Sequence, residues 1–394
     1  MADAEQTLRE FLDKILDEKN YKPREINIKA ISTNGGNYTS VLFLVNVSSP
    51  NREELKLFAK VASVGENMRV RMNADWLYVN ERFVYTKLVK IYKDLEDELN
   101  IPNEHKYLIP KFYGCKEDRG KETVVLENLT ESGYKTFDRF KSMDWEHACA
   151  GVENLAKFHA LSFAFAKYRP EEFNELTHDL KFKIGNEESL TDEVTKEVWM
   201  KMIKGSLEVL EEEQREAVGR FLVESQNNFG KYNNPIGNPV IVHGDYRMSN
   251  LLFRKQVRTI ITSISVDYQT VYAGTPVCDL IYFIILGSDE EFRKQYYDKL
   301  LDHYYTELEE ALKRFAVDPL EVYPRTKFNS DLKTMLPYAV LIGVTILPVV
   351  TVEAACAPKV DGDADVSDFV MAPNELFAER FRGIINDCFK WGVI

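Results

Sequence analysis

Ile241-Val242-His243-Gly244-Asp245-Tyr246-Arg247-Met248-Ser249-Asn250-Leu251-Leu252-Phe253 is followed, seventeen residues after Asn250, by Val266-Asp267-Tyr268-Gln269. Each acidic or amide residue is bracketed by apolar, strand-forming residues. That pattern holds polar groups rigidly at the ends of buried strands. One aspartate at a strand end usually caps or turns the chain. Two aspartates and an asparagine at these intervals point further, to oxygen ligands for a hard cation and a carboxylate placed for a proton. Phosphoryl transfer needs both, because Mg²⁺ bridges the moving phosphoryl to the leaving diphosphate while the attacking hydroxyl loses its proton. On this reading Asn250 and Asp267 are candidate Mg²⁺ ligands and Asp245 a candidate catalytic group. His243 lies on an apolar strand, where a histidine is usually a satisfied core residue.

Upstream of this island, Leu8, Phe11, Leu12 and Ile15 mark an amphipathic helix. Three strand-like runs follow, Ile26 to Ile31, Val41 to Val47 and Leu55 to Ala62, with Asn34-Gly35-Gly36-Asn37 as a tight turn between the first two. Tyr78, Glu81, Tyr85 and Leu88 share one face of a helix expected over Trp76 to Tyr92. Two more strands are expected at Leu108 to Tyr113 and Thr123 to Leu126. Beyond them the chain reads as mainly helical, with a long helix over Met143 to Lys167 and two helices between Glu193 and Asn228. The spacing therefore predicts an α+β protein of two lobes: a small β-rich lobe with one inserted helix over residues 1–127, and a larger, mainly helical lobe over 128–394.

The net charge of −13 argues against a phosphate backbone as partner, and no polybasic cluster offers a site for anionic lipid. Thr334 to Val352 carries no charge over 19 residues, which reaches spanning length. Pro337 and Pro348 interrupt it, so a buried helix broken near Pro348 is expected instead of a membrane span. Five scattered cysteines without a CxxC pair fit reduced thiols. With a polar, acidic N-terminus, they lead to the expectation of a cytoplasmic protein. The sequons at Asn37, Asn46 and Asn128 are read as chance.

His243 to Phe253 resembles the catalytic loop of the aminoglycoside phosphotransferase and choline kinase superfamily. Within it, the chain resembles the ecdysteroid kinase-like family, common in insects, through further segments in matching order. Asn34-Gly35-Gly36-Asn37-Tyr38-Thr39-Ser40 looks like that family's phosphate loop, and implies nucleotide contacts from Asn37, Tyr38, Thr39 and Ser40. Leu57-Phe58-Ala59-Lys60-Val61 resembles the strand carrying the nucleotide lysine, and Glu81 the helix glutamate that pairs with it. Val125-Leu126-Glu127-Asn128-Leu129 resembles the hinge, where the Glu127 carbonyl and the Leu129 N–H would meet adenine. Leu155 to Ser162 is similar to the family's long-helix signature, with His159 structural. Pro276-x-x-Asp279-Leu280 also matches, with Asp279 bracing the catalytic loop. Many members carry Trp two positions after the catalytic aspartate; Arg247 stands there in this chain.

The resemblance implies a kinase using ATP and Mg²⁺ on a hydroxylated small molecule, an ecdysteroid or a related xenobiotic alcohol. A choline- or aminoglycoside-type kinase is the alternative within enzymes, and a non-catalytic binder of the same fold the alternative outside them. A protein kinase would carry His-Arg-Asp, Asp-Phe-Gly and Ala-Pro-Glu. Here His243-Gly244-Asp245 and Asp267-Tyr268-Gln269 stand instead, with no Ala-Pro-Glu following.

Overall fold

A computed structural model describes residues 2–32, 38–50, 52–183, 193–256, 260–357 and 366–394. The expected turn at 34–37, with Asn37, lies outside the described residues.

Five antiparallel strands, β1 (Glu25–Ile31), β2 (Ser40–Ser48), β3 (Leu55–Ala62), β4 (Phe112–Lys116) and β5 (Thr123–Glu127), form one sheet in the order β1-β2-β3-β5-β4. Side chains alternate across it. Leu57, Ala59 and Val61 of β3 turn to one face and meet Leu8, Phe11, Leu12 and Ile15 of the helix Ala2–Glu18. Burying each large apolar side chain of that helix contributes about 1.5–3 kcal/mol, which is what docks it. Lys60, with the opposite parity, faces the other way, between Leu42 and Val124 on the neighbouring strands.

Three sequence expectations shift. The strand expected at Leu108 to Tyr113 begins only at Phe112, because Pro110 has no N–H to give a ladder. The inserted helix is longer than Trp76 to Tyr92. A first piece, Glu66–Met72, ends at Asn73 in a left-handed conformation (φ 52°). Then Ala74–Phe83, a wider π-turn at Val84–Leu88 and Val89–Glu98 run on continuously. The third shift concerns Thr334 to Val352. This stretch is broken at Pro337 as well as at Pro348, into the end of Arg325–Met335, then Tyr338–Thr345 and Leu347–Thr351. It is buried as expected, with Gly343 letting the Phe381 ring of the helix Glu375–Lys390 approach closely. No helix among the described residues is long and apolar enough to cross a membrane.

The larger part is helical around one core, centred on the helix Trp145–Tyr168. The island contributes two small sheets. β6 (Lys135–Thr136), β8 (Leu251–Gln256) and β9 (Ile260–Ser265) form one in the order β6-β8-β9. β7 (Val240–Val242) pairs with β10 (Tyr272–Gly274) in the other. The molecule is thus a two-lobed α+β fold of the expected kinase-like kind.

Glu96, near the end of Val89–Glu98, is buried and accepts the Tyr107 backbone N–H at 2.6 Å. Burial pushes its carboxyl up to about 7 from the ordinary 4.5. A raised carboxyl favours the fold below 4.5, and that contribution is lost as pH rises through about 7. Glu96→Gln keeps an acceptor oxygen and removes the charge. Urea unfolding should find the variant more stable than wild type by about 1–2 kcal/mol at pH 8 and equal to it near pH 4. A variant less stable at pH 8 would show that the charged form is held by partners.

Candidate active site

The loop His243–Asn250 leaves β7 at Val242 and is fixed by its backbone. Asp279, in the first turn of the helix Pro276–Gly287, accepts the His243 N–H at 2.7 Å and the Gly244 N–H at 2.9 Å. The Thr270 hydroxyl donates to the His243 carbonyl at 3.0 Å. Gly244 has φ +80°, and a Cβ there would lie 2.3 Å from the Thr270 carbonyl oxygen. Gly244→Ala therefore meets both strain and a backbone clash, and should cost about 2–4 kcal/mol, read as a lowered midpoint in chemical unfolding. An unchanged midpoint would mean the loop has a second conformation of equal energy.

His243 is fully enclosed. Burial lowers its pKa, against the pull of Asp279 and Asp245, so the ring is neutral. Its Nε2 donates to the Val266 carbonyl at 3.2 Å. His159 is also buried, bonded to Tyr304 at 2.7 Å and to Asp279 at 3.2 Å. Both histidines hold structure together.

The Asp245 carboxylate has three side-chain donors. Tyr282 donates to Oδ1 at 2.7 Å and Asn250 Nδ2 to Oδ2 at 2.8 Å. Arg247 Nε lies 2.9 Å from Oδ1 and 3.1 Å from Oδ2. Asn250 Nδ2 also donates to the Asp245 carbonyl at 3.0 Å. Both Asn250 amide hydrogens are thereby used, and its Oδ1 accepts no bond among the described residues.

On β3, Lys60 Nζ bridges two carboxylates, Glu81 Oε1 at 3.0 Å and Asp267 Oδ1 at 2.7 Å. Burial opposes the lysine's charge. The two carboxylates outweigh it and hold the ammonium charged, well above the usual lysine range. Burial raises Asp267 as well, but Lys60 and Arg247 pull it below the usual carboxylate range. Glu81 is pushed up, by burial first and by the Asp267 charge, against the attraction of Lys60. Asp267 takes the left-handed conformation (φ 68°) before the short turn Tyr268–Thr270. Its Oδ2 accepts no bond among the described residues.

Helix and loop are tied directly. Asn80 Nδ2 donates to the carbonyls of Gln269 (3.3 Å) and Val271 (3.1 Å), and Tyr78 donates to the Thr39 carbonyl at 2.5 Å. Thr39 reaches Gln269 Oε1 at 3.3 Å and stands 3.5 Å from the Ser40 hydroxyl. The Tyr38 hydroxyl is buried with no hydrogen-bond partner among the described residues, and its ring meets Phe369 edge-on at 5.4 Å. At the hinge, Glu127 N–H is taken by Lys111 and Asn128 N–H by Lys56, whereas Leu129 N–H donates no bond among the described residues. The Leu129 side chain packs with Tyr134, Ile264, Leu252 and Val266, an apolar floor leading to Asp267.

Lys60, Glu81 and Asp267 are thus bonded together, as are Asp245 and Asn250. Two contributors were missed in the sequence. Tyr282 sits one helical turn after Asp279, a spacing that could have flagged it. The second is the Arg247 ion pair to Asp245, which no spacing rule reveals. The free oxygens of Asn250 and Asp267 suit Mg²⁺, which takes hard oxygen ligands and keeps several waters. No group of three or more His, Cys, Asp or Glu that could hold a metal occurs among the described residues.

Residues 34–317 match the model of the ecdysteroid kinase-like family, most of the chain. The chain belongs to the ecdysteroid kinase-like family. A curated relative, the uncharacterized kinase-like protein D1044.1 of Caenorhabditis elegans, is 32% identical over 105 residues. That match covers 26% of this chain and only 27% of the relative's length. Among solved structures, the Plasmodium vivax ethanolamine kinase is 11% identical, covering 88% of this chain and 83% of its own, with a TM-score of 0.41. A microcompartment-associated aminopropanol kinase is 9% identical, covering 96% and 98%, with a TM-score of 0.44. In this ecdysteroid kinase-like chain Lys60 is paired with Asp267 and Asn250 with Asp245, and the Val266 N–H, one residue before Asp267, donates to the Asn250 carbonyl at 3.0 Å.

Proposed function

We propose that the protein is an ATP-dependent phosphotransferase acting on a hydroxyl of a small molecule, most naturally an ecdysteroid or a related xenobiotic alcohol. The observation that carries this reading is the Lys60 bridge between Glu81 and Asp267, found together with the Asp245–Asn250 pair. A buried ammonium shared by two carboxylates is costly to assemble for stability alone. It becomes useful where a polyphosphate arrives. Lys60 would contact the phosphates, with residues 37–40, including Tyr38, Thr39 and Ser40, covering them. The Glu127 carbonyl and Leu129 N–H would meet the adenine edge. Asn250 Oδ1 and Asp267 Oδ2 would hold Mg²⁺, which when bound neutralises charge on the phosphoryl oxygens. Asp245 would orient the acceptor hydroxyl and take its proton.

On this reading the nucleotide lobe ends near residue 127, and residues 128–394 supply the catalytic loop and acceptor pocket. Arg247 beside Asp245 disfavours a cationic acceptor such as choline, since like charges a few ångströms apart repel in a partly buried site. Five free cysteines suit a reducing compartment, so a cytoplasmic location is part of the proposal. Neither nucleic acid nor a membrane is expected as partner. The test is mass-spectrometric transfer from Mg-ATP to a panel of ecdysteroids, plant phenols, choline and an aminoglycoside, with Asp245→Asn as blank. A phosphorylated ecdysteroid, absent in the blank, is the expected result. Transfer to choline or the aminoglycoside would remove the steroid assignment. Transfer to nothing, with no Mg-ATP binding, would favour the non-catalytic binder.

A further inference from the structure

The chain leaves the larger lobe at Thr351 and returns to it at Asn374, and these two ends are tied together. Asn374 Nδ2 donates to the Thr351 carbonyl at 2.8 Å. Arg139 donates to the carbonyls of Val350 and, at 2.7 Å, of Val352. Asn374 also caps the helix Glu375–Lys390, accepting the Phe377 N–H at 2.8 Å. Just before Asn374 stands an apolar run, Phe369-Val370-Met371-Ala372-Pro373, placed after four aspartates, Asp361, Asp363, Asp365 and Asp368. Apolar side chains in so acidic a setting are driven to cover an apolar surface.

Phe369 finds that surface on the smaller lobe. It packs with Val64, Met68 and Met72, in and just before the helix Glu66–Met72. Met68 and Met72 stand four residues apart and so share one helix face. The Phe369 ring also meets the Tyr38 ring, with centroids 5.4 Å apart and planes at 65°. That edge-to-face arrangement is a favoured one for aromatic pairs. The group is separate from the core of the larger lobe and from the core under the sheet. A contact so small and so far from either core adds little to folding, yet it joins the two lobes. It does so at Tyr38, two residues before β2. The neighbouring Thr39 is held by hydrogen bonds, its carbonyl accepting from the Ser63 N–H at 3.1 Å and its hydroxyl donating to Gln269 Oε1 at 3.3 Å. The Tyr38 hydroxyl has no hydrogen-bond partner among the described residues. The Phe369 ring is what the Tyr38 ring leans on.

We propose that Phe369 is a positioning residue for the nucleotide, reaching over from the C-terminal part of the chain to hold Tyr38 where it covers the phosphates. This rests on the kinase reading above, in which Tyr38 is a phosphate-loop residue. Phe369 lies beyond residues 34–317, outside the stretch that matches the family model. A side chain already held in its bound place loses less freedom when the ligand arrives, so the contact raises affinity without touching the ligand. The clasp also links nucleotide binding to closure of the two lobes, because the two partners of Tyr38 and Thr39, Phe369 and Gln269, both belong to the larger lobe.

The experiment is a calorimetric titration with Mg²⁺ and the non-hydrolysable analogue AMP-PNP, with the urea midpoint of each variant measured alongside. Phe369→Ala should bind about three- to tenfold more weakly, the range an aromatic pair spans. Phe369→Leu keeps apolar cover on Met68 and Met72 and loses the ring edge. It should bind about threefold more weakly with an unchanged midpoint. Phe369→Tyr keeps the ring and should stay within about twofold of wild type. Tyr38→Ala should weaken binding too, and adding Phe369→Ala to it should cost no more than about 1.5-fold further, because Phe369 then has nothing to position. Additive losses in the double variant would overturn the proposal, as would wild-type affinity in Phe369→Ala or in Tyr38→Ala. A Phe369→Leu variant that binds like wild type would reduce the contact to simple packing and overturn it as well. Wild type that binds no nucleotide would remove the kinase reading itself, and the clasp with it.

Discussion

Asp245→Asn is expected to lower turnover by about 10²- to 10⁴-fold, the range over which a positioned base contributes, with ATP affinity within about threefold of wild type. The substitution keeps the size of the side chain and removes its charge and one of its acceptors. In the wild type, Tyr282, Asn250 and Arg247 all donate to that carboxylate. Asparagine offers one acceptor oxygen to these donors and turns an amide donor toward the rest. A local rearrangement confined to the acceptor side should follow. The Lys60–Glu81–Asp267 cluster shares no hydrogen bond with Asp245, which is why nucleotide binding should survive. Single-turnover rates and ATP titration measure the two halves separately. Parallel loss of turnover and affinity would make Asp245 a brace of the loop, not its reacting group.

The second large effect concerns Asp267. Asp267→Ala should abolish turnover, by about 10³-fold or more, together with Mg²⁺-dependent nucleotide binding, since one of two candidate metal ligands is lost. It also strips Lys60 of its shorter ion pair at 2.7 Å. One complication is built into the backbone. Asp267 has φ 68°, a conformation that Asn and Asp tolerate better than Ala. Part of any Ala effect is therefore strain, of order 1–2 kcal/mol. Asp267→Asn separates the two: it keeps tolerance of the left-handed conformation and removes the charge. Loss of activity in both variants assigns the effect to the carboxylate. Near-normal activity in Asp267→Asn would sink the metal assignment.

Much of the β-rich lobe was legible because its signals are local. Alternation over β2 and β3 set which face Lys60 takes, and the apolar stripe Leu8, Phe11, Leu12 and Ile15 named the face that docks. The island was legible for a different reason. Polar residues bracketed by strand formers are rare enough to draw notice, and Asp245 and Asn250 are bonded to each other while Val266, beside Asp267, donates to the Asn250 carbonyl. What escaped was set by tertiary contact or by a single backbone residue. Pro110 moved β4 toward its C-terminal end, and Asn73 divided the inserted helix. Pro337 broke the apolar stretch that Pro348 alone was expected to break. The donors to Asp245 come from a helix thirty-seven residues on and from a side chain two residues away. Only the first has a helical spacing behind it, one turn after Asp279; the second follows from no periodicity. The Asn80 tether to the loop at Gln269 and Val271 joins segments far apart in sequence. An asparagine on a helix gives no sign of such a partner. The acceptor pocket stays unread at both levels, because aromatic residues at helical spacing look alike whether they line a core or a cleft.

The central claim is that the cleft between Lys60 and Asp245 holds a Mg²⁺–nucleotide complex. Calorimetric titration of the wild-type protein with ATP, in the presence of Mg²⁺ and again with a chelator, tests it most directly. The account predicts a single site whose affinity falls by about tenfold or more when Mg²⁺ is removed. Failure to bind ATP, or binding of equal strength with and without the metal, would contradict it.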